Sequence, residues 1–353
     1  VGSAARLNNP CGGAAERDGT VYVADTVNET IRRITPDGTV SLIAGATSIG
    51  GNTDGPGTTA RFFRPTALAV DANGGLIIAD TGNHSIRRLS ASGAVTTFAG
   101  GGGNFGSTDG FGTTARFNQP RGLVIDRAGN LFVGDSVNNT VRRITPAGIV
   151  STFAGAAGVI GYTDGAAASS RFGLPYGLAI DGNDKLFVVD QIYNAIRSIT
   201  AGEVRTYVGI PSTTPGSADG GLTTARFNFP AFVAVDRDGN VYVSDAFNHT
   251  IRKVSTTGQT TTLAGLAGTT GSADGPGTVA RFFQPSGLVC DAAGNVFVAD
   301  FGNSTIRRIT PNGEVSTFAG LAGATGTTGA TGSAARFQNP EGIAIDTAGN
   351  FFV

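Results

Sequence analysis

The chain has 353 residues and a net charge of −1, and only 14% of its residues are charged. This low, balanced charge excludes the broad basic face that nucleic acids and anionic membranes require. No run of about 18 apolar residues occurs, so no membrane span is expected. The two cysteines, Cys11 and Cys290, exclude a disulfide framework and a cysteine metal site. Sparse lysine with abundant glycine, threonine and asparagine is typical of a secreted or extracytoplasmic bacterial protein.

Residues 21–35 read VYVADTVNETIRRIT, and closely similar stretches return with a period of 55 residues. The first apolar run of each copy ends in an aspartate, and these are Asp25, Asp80, Asp135, Asp190, Asp245 and Asp300. Six copies in constant phase indicate a repeat architecture, in which each unit buries its faces against its neighbours.

Residues 65–100 show what one repeat contains. The runs TALAVD, LIIAD, IRRLS and AVTTFAG are separated by the turn sequences ANGG, TGNHS and ASG. Four short strands joined by such turns form an antiparallel meander, and no useful helical period competes with them. The sequence therefore predicts an all-β fold, a six-bladed β-propeller with four antiparallel strands per blade, built by residues 1–353 as a single domain.

The repeated pattern P-x-G-L-A-V-D-x-x-G-N-L-x-V-A-D-x-x-N-x-x-I-R-R-I resembles the NHL-repeat β-propellers over essentially the whole chain. The departure from that family is the long stretch between blades, which reads GGGNFGSTDGFGTTARFNQP at residues 101–120. The stretch keeps phase with the repeat, so we expect a packed element. The resemblance implies a binding module. Family relatives that are peptide-amidating lyases hold zinc with converging histidines, a set that His84 and His249 do not supply.

Two ionisable positions recur in the long loops. The arginines are Arg61, Arg116, Arg171, Arg226, Arg281 and Arg336. The aspartates are Asp54, Asp109, Asp164, Asp219 and Asp274. A unique binding site seldom needs six copies, so we interpret each loop arginine as a strap to a nearby carboxylate or carbonyl rather than as part of an anion ring. The arginine pairs of the third strand, from Arg32 and Arg33 onwards, are also interpreted as structural.

One turn of the repeat carries the sequence Asn-x-Ser/Thr. Its asparagines are Asn28, Asn83, Asn138, Asn248 and Asn303. The pattern matches a glycosylation acceptor in a secreted chain. The preferred interpretation is structural, because asparagine tolerates the positive φ that such turns need.

The two ends of the chain contain copies of one sequence. Residues 1–19 are interpreted as a redundant, degraded copy of an innermost strand, because Gly13 stands where the carboxy-terminal copy has Ile343. Replacing buried isoleucine by a small residue costs about 2–5 kcal/mol. We therefore predict that residues 341–346 take the innermost place of the first blade, so that the ring closes by strand exchange between the termini. The protein is then a monomer, or a dimer formed by terminal strand exchange.

Positions that break the repeat are the candidate ligand-binding residues. One set begins the innermost strands, at the expected channel mouth on the face of the long loops: Thr66, Arg121, Tyr176, Ala231, Ser286 and Glu341. Aromatic departures beside them are Phe105, Phe111, Tyr162, Phe229 and Phe232. Polar groups around one opening can orient a ligand, and the rings suit a peptide or sugar. The alternative is drift on a tolerant surface.

No phosphate loop or nucleophile elbow occurs, and no catalytic or metal residue is assigned. The leading hypothesis is a non-catalytic binding or assembly scaffold that recognises a protein, peptide or glycan through the looped face. The alternative is a metal-assisted lyase or lactonase-like hydrolase at the channel mouth. Glu341 with loop aspartates would then form an oxygen-rich site, which leaves calcium open as a cofactor. Balanced charge disfavours a third hypothesis, RNA binding.

Overall fold

The computed structural model describes residues 7–16, 18–37, 39–326, 332–345 and 351–352. Within these residues the chain forms strands and three-residue 3-10 helices, and no helix is long and apolar enough to cross a membrane. The chain divides into two compact units. The first unit comprises residues 7–176 with 344–345 and 351–352, and the second comprises residues 177–343.

The first unit contains blades 1 to 3, each an antiparallel sheet in which consecutive strands pair. Blade 1 consists of Pro10–Ala15, Val21–Asp25, Thr30–Ile34 and Val40–Gly45. Blade 2 consists of Pro65–Val70, Leu76–Asp80, Ser85–Leu89 and Ala94–Ala99. Blade 3 consists of Pro120–Ile125, Leu131–Asp135, Thr140–Ile144 and Ile149–Gly155. Two-residue strands from the long loops, Gly55–Pro56 and Gly110–Phe111, extend the outer edges of blades 2 and 3.

Blade 4 begins with Pro175–Ile180, where the first unit passes into the second, and continues with Leu186–Asp190, Ala195–Thr200 and Glu203–Val208. Blade 5 consists of Pro230–Val235, Val241–Asp245, Thr250–Val254 and Thr260–Gly265. Blade 6 consists of Pro285–Cys290, Val296–Asp300, Thr305–Ile309 and Glu314–Gly320, and Gly275–Pro276 pairs with its outer strand. Gly165–Ala166 is the short loop strand that precedes blade 4. The six sheets confirm the all-β, six-bladed β-propeller fold.

The short 3-10 helices lie in the loops and turns. They are Thr81–Asn83, Gly112–Thr114, Ser136–Asn138, Ala246–Asn248, Phe301–Asn303 and Gly332–Ala334. Four of them follow the second strand of a blade directly, as Thr81–Asn83 follows Asp80. They turn the chain from the second strand into the third.

The core of each unit lies between adjacent blades. In the first unit, Ile86 of blade 2 and Val133 of blade 3 belong to one buried cluster with Phe117 of the long loop. Second strands such as Leu76–Asp80 are buried along their whole length, which explains why they read as continuous apolar runs. A loop phenylalanine is fully buried at five equivalent positions: Phe62, Phe117, Phe172, Phe227 and Phe282. The prediction that the long stretches are packed elements is confirmed.

The innermost place of blade 1 belongs to Pro10–Ala15, in which Gly13 pairs with Val23 of the second strand. The prediction that residues 341–346 take this place is wrong. Ala344–Ile345 pairs instead with Phe351–Phe352 in a separate two-stranded sheet. Residues 1–6, 17 and 346, which the terminal prediction also included, lie outside the described residues.

Close packing explains why small residues occupy the first strand. A Cβ atom on Gly12 would lie 2.4 Å from the carbonyl oxygen of Thr66, and one on Gly13 would lie 3.0 Å from the Cβ of Ala344. Such separations leave no room for isoleucine. The strand is also joined to its partner by residues 16–20 alone, and a short connection costs little chain entropy. The glycines therefore fit this strand to its neighbours and are not a sign of degradation.

Candidate functional site

Neighbouring blades are joined by a hydrogen bond between two residues with left-handed backbone. One residue ends the turn between the second and third strands, and the other directly precedes the proline of the next innermost strand. In the first unit, the N–H of Arg64 donates to the Glu29 side chain, that of Gln119 to His84, and that of Leu174 to Asn139. In the second unit, the N–H of Phe229 donates to the Asn194 side chain, that of Gln284 to His249, and that of Asn339 to Ser304.

All twelve of these residues have φ between 49° and 63°. The positive φ therefore lies one residue after the repeated asparagine, and the prediction that asparagine itself adopts it is wrong. In blade 2, the Nδ2 atom of Asn83 donates to the carboxylate of Asp80 at 2.8 Å and to the carbonyl of Gly51 at 2.6 Å. The amide is needed as a buried double donor, which explains why the turn keeps asparagine.

His84 connects the turn of blade 2 to an exposed aromatic ring. Its Nδ1 atom accepts the N–H of Gln119 at 3.1 Å, so the imidazole is neutral in this arrangement. Burial lowers the pKa of His84, which favours the same neutral form. The Phe105 ring meets the imidazole edge-on with 5.8 Å between centroids, and Phe105 is 69% exposed. The loop thus presents an aromatic surface beside the start of blade 3.

Arg121 begins the innermost strand of blade 3 and lies over the ring of Tyr176, with 5.0 Å from its guanidinium carbon to the ring centroid. Its Nη1 atom also donates to the Tyr176 hydroxyl at 3.3 Å, and Nη2 lies 3.5 Å from the side-chain oxygen of Gln119. Among the residues that the structure describes, no carboxylate pairs with Arg121. The guanidinium is half-buried and keeps an uncompensated positive charge.

Thr66 supports this cluster from blade 2. The Thr81 hydroxyl donates to the carbonyl of Pro120 at 2.6 Å, so the Thr66 hydroxyl is the donor in its own 2.6 Å contact with Thr81. Pro120 directly precedes Arg121. The structure therefore brings Thr66, Arg121, Tyr176 and Phe105 into one connected group, with His84 and Gln119 as links that the sequence analysis did not select.

Two other candidates of the first unit lie elsewhere. Phe111 belongs to a short strand that pairs with Ile149 on the outermost strand of blade 3, and its side chain is 66% exposed there. Tyr162 is 52% exposed in the loop that precedes blade 4. Phe111 therefore does not lie beside the starts of the innermost strands. The long loop runs from the outer edge of one blade to the inner strand of the next, so departures along it are spread over that distance.

The candidates of the second unit have mostly structural contacts. Ser286 is 9% exposed, and the N–H of the next residue, Gly287, donates to the carbonyl of Glu341 at 2.7 Å. The N–H of Phe232 donates to the hydroxyl of Ser244 at 2.9 Å. Ser286 and Glu341 thus begin adjacent segments of this unit.

The loop aspartates form ion pairs with buried arginines of the third strand. In blade 2, Arg87 lies 2.8 Å from Asp80 and 2.6 Å from Asp54, and the arginine is fully buried against the ring of Phe62. Asp54 also accepts the N–H of Thr97 at 3.0 Å, on the outermost strand. These contacts place the carboxylate at the outer part of the blade. The described residues contain no group of three or more His, Cys, Asp or Glu that could hold a metal ion.

The strap interpretation of the loop arginines is confirmed for five of them. Arg61 donates from Nη1 to the carbonyls of Thr58 and Ala60 at 2.9 and 2.8 Å. Equivalent bonds to loop carbonyls are made by Arg116, Arg171, Arg281 and Arg336. In blades 2, 3 and 6 the loop aspartate is held by the third-strand arginine, so Arg61, Arg116 and Arg281 bond to carbonyls instead. The structural interpretation is also confirmed for the first arginine of the pair in blades 2 to 6, which is buried and paired with the strand-end aspartate.

The blades, their internal ion pairs and the bonds between adjacent blades define a repeat β-propeller of the six-bladed class. The sequence model of the NHL repeat matches residues 62–89 and 117–144. A second model, the SMP-30/gluconolactonase/LRE-like region, matches residues 222–331. The two matched segments confirm the resemblance to the NHL-repeat β-propellers.

Two named relatives share this sequence pattern. The chain is 28% identical over 275 residues to Protein SUPPRESSOR OF QUENCHING 1, chloroplastic, of Arabidopsis thaliana, an alignment that covers 73% of this chain and 26% of that protein. It is 27% identical over 324 residues to NHL repeat-containing protein 2 of Homo sapiens, with 81% and 44% covered. The chain thus spans less than half of the length of these relatives.

Among solved structures, a streptogramin B lyase superposes with a TM-score of 0.66 at 15% identity, over 99% of this chain and 91% of that chain. At this identity the likeness concerns the fold and not the activity.

Proposed function

We propose that this protein is a non-catalytic binding scaffold that recognises an acidic segment of a protein, peptide or glycan partner through the looped face of its first unit. The observation that carries the proposal is the position of Arg121, which lies over the ring of Tyr176 without a carboxylate partner among the described residues. Every buried arginine of the third strands from blade 2 onwards, by contrast, is neutralised by an aspartate.

A guanidinium held over an aromatic ring is suited to pair with a carboxylate. Its planar donors match the two carboxylate oxygens, and stacking on the ring limits the entropy lost on binding. Cation–π contact adds about 0.5–1 kcal/mol at an exposed site. Phe105 extends the surface with an exposed ring next to His84. The cluster therefore offers one charged contact and one apolar contact to the same partner segment.

We also propose that the protein acts outside the cytoplasm, since sparse lysine and abundant glycine, threonine and asparagine are typical of such proteins. Its oligomeric state stays a prediction, either a monomer or a dimer.

Binding arrays test the proposal. Wild-type protein, Arg121→Gln and Tyr176→Ala are applied to arrays of acidic peptides and of acidic glycans. We expect the wild type to bind a subset of acidic probes and both variants to lose that binding. Arg127→Gln is the matched control, because Arg127 lies in the turn that ends the same innermost strand. Equal binding by wild type and Arg121→Gln would contradict the proposal.

The second candidate is a lactonase-like hydrolase or a lyase, favoured by the match of residues 222–331 to the SMP-30/gluconolactonase/LRE-like model. In this case Glu341 with neighbouring loop aspartates would supply the oxygen ligands for calcium. Metal analysis of the purified protein and a lactone-hydrolysis assay distinguish the candidates. A tightly held stoichiometric ion, together with activity lost in Glu341→Gln, would favour the enzyme.

A further inference from the structure

Two exposed phenylalanine rings are stacked on each other in the second unit. Phe229 directly precedes the innermost strand of blade 5, and Phe247 lies in the turn between the second and third strands of the same blade. The ring centroids are 4.7 Å apart, with 17° between the ring planes. Phe229 is 39% exposed and Phe247 is 46% exposed. Because each ring covers only one face of the other, the pair presents an aromatic surface to solvent.

The other blades show that the fold does not require this pair. The residues at the position of Phe229 in the other copies are Asn9, Arg64, Gln119, Leu174, Gln284 and Asn339. Those at the position of Phe247 are Val27, Gly82, Val137, Ile192 and Gly302. Blade 5 therefore carries a ring at two positions where no other copy has one. The stack is a departure from the repeat and not one of its recurring packing contacts.

Backbone hydrogen bonds hold both phenylalanines in place. The N–H of Phe229 donates to Oδ1 of Asn194 at 2.7 Å, and Phe229 has a φ of 52°. The N–H of Phe247 donates to the carbonyl of Asn228, the residue before Phe229, at 3.1 Å. A left-handed φ is costly for a bulky residue and persists only where the surrounding contacts fix it. The two rings are therefore preorganised, which reduces the entropy lost on binding a ligand.

Two neutral hydrogen-bonding groups lie next to the stack, where blade 5 meets blade 6. His249, two residues after Phe247, accepts the N–H of Gln284 at 3.1 Å through Nδ1, so its neutral ring carries the proton on Nε2. Among the described residues, neither this Nε2–H group nor the side-chain amide of Gln284 has a hydrogen-bond partner. The ring of Phe283 meets the imidazole edge-on, with 5.9 Å between centroids. The group thus combines aromatic surface with two unused polar groups.

A neutral hexose matches this combination. The C–H groups on the flat face of a pyranose ring carry a slight positive charge, and they can meet the negative face of an aromatic ring. The hydroxyls of the sugar both donate and accept, so they can pair with an amide and with an imidazole N–H. Phe229, Phe247, Phe283, Gln284 and neutral His249 carry no charge. An ionic ligand would therefore lose hydration on this surface without gaining an ion pair.

We propose that this surface of the second unit binds a neutral hexose unit of a glycan, stacked on Phe229 and Phe247 and hydrogen-bonded to Gln284 and His249. The surface shares no residue with the group around Arg121 in the first unit. It also selects a neutral ligand, whereas Arg121 selects an acidic one. The proposal is therefore independent of the partner site proposed for the first unit, and either one can fail without the other.

Cellotetraose, laminaritetraose and maltotetraose are the probes, measured by saturation-transfer NMR and by calorimetry. We expect wild type to bind at least one of them at millimolar concentrations. Phe229→Gln and Phe247→Val introduce residues that other blades carry at the same backbone positions, so both variants should fold. Each should weaken binding at least tenfold, or about 1.4 kcal/mol. Gln284→Leu, which introduces the residue of blade 4, should also weaken binding.

Two variants serve as controls. Phe111→Ala removes an exposed ring from the outer edge of blade 3 and introduces the residue that blade 4 carries there, Ala166. Arg121→Gln removes the charge of the first-unit site. Both should bind the oligosaccharides like wild type, and an equal loss in Phe111→Ala would show that the sugars adhere to any exposed ring.

Three further results would overturn the proposal. The first is a wild-type protein that binds none of the oligosaccharides. The second is a pair of ring variants, folded by circular dichroism, that bind as tightly as wild type, and the third is unchanged binding by Gln284→Leu. A decaproline peptide is tested alongside. If it binds wild type in place of the sugars and loses binding in both ring variants, the surface recognises a proline-rich peptide and not a glycan.

Discussion

The Nη1 atom of Arg87 lies 2.8 Å from Oδ2 of Asp80, and both side chains are fully buried. The same arginine reaches Asp54 in the long loop with Nη2 at 2.6 Å. A single guanidinium therefore ties the second strand, the third strand and the loop of blade 2 together. Because blades 3, 5 and 6 repeat this arrangement, the most regular charges of the sequence serve the fold.

Replacing Arg87 by methionine is predicted to lower the free energy of unfolding by about 3–5 kcal/mol, because Asp80 is left as a buried, unpaired charge. The control is Arg88→Gln, the next residue, whose ion pair with Asp71 is partly exposed. Breaking such a surface pair costs about 0–1 kcal/mol. Urea unfolding followed by circular dichroism measures both. Equal losses in the two variants would contradict the structural role of Arg87.

The two histidines are predicted to make stability depend on pH. His84 and His249 accept backbone N–H groups through Nδ1, and burial lowers the pKa of both. A pKa that is lower in the folded state gives a stability contribution that is present above the unfolded value of about 6.5. That contribution is lost as the pH falls through the folded pKa values. Each lost bond is worth about 1 kcal/mol.

The double variant His84→Asn/His249→Asn is the matched comparison, since Asn139 and Asn194 accept the equivalent N–H groups in blades 3 and 4. Burial raises the pKa of strand-end aspartates such as Asp80 to about 6, but these contribute equally to both proteins. The difference in unfolding free energy should be small at pH 8 and should grow in favour of the variant towards pH 5. If the unfolding free energies of wild type and variant changed in parallel between pH 8 and pH 5, the histidines would not be the cause of the pH dependence.

Gly13→Ile is predicted to destabilise the protein, by about 1–3 kcal/mol, because the added side chain would overlap Ala344. The opposite result, an increase in stability, is expected if Pro10–Ala15 is a degraded strand that lacks a core residue. Thermal and urea unfolding of the variant decide between the two. The conservative control is Gly13→Ala, for which a smaller loss of the same sign is expected.

The repeat period predicted the blades because each strand depends on residues within its own period. The sequence predictions failed where the type of a residue is determined by its contact with a residue outside that period. Gly13 is small because of Ala344, and Asn83 is an amide because of Gly51 in the preceding loop. The role of His84 was likewise hidden, since the glutamate, asparagines and serine at equivalent positions share no residue type with it. They share only an acceptor atom and a left-handed backbone.

The binding site was predictable only in part. Arg121 and Tyr176 were selected because they break the repeat, and the structure places them in contact. Phe111 was selected on the same ground, yet it lies on the outer edge of blade 3.

The central claim is that repeated residues build the blades, whereas departures from the repeat recognise ligands. The most direct test is the dissociation constant of Arg121→Gln for an acidic probe that wild type selects, with urea unfolding of the same sample as the check on folding. We predict binding at least tenfold weaker than wild type, or about 1.4 kcal/mol, and an unchanged unfolding midpoint. Unchanged affinity would contradict the claim.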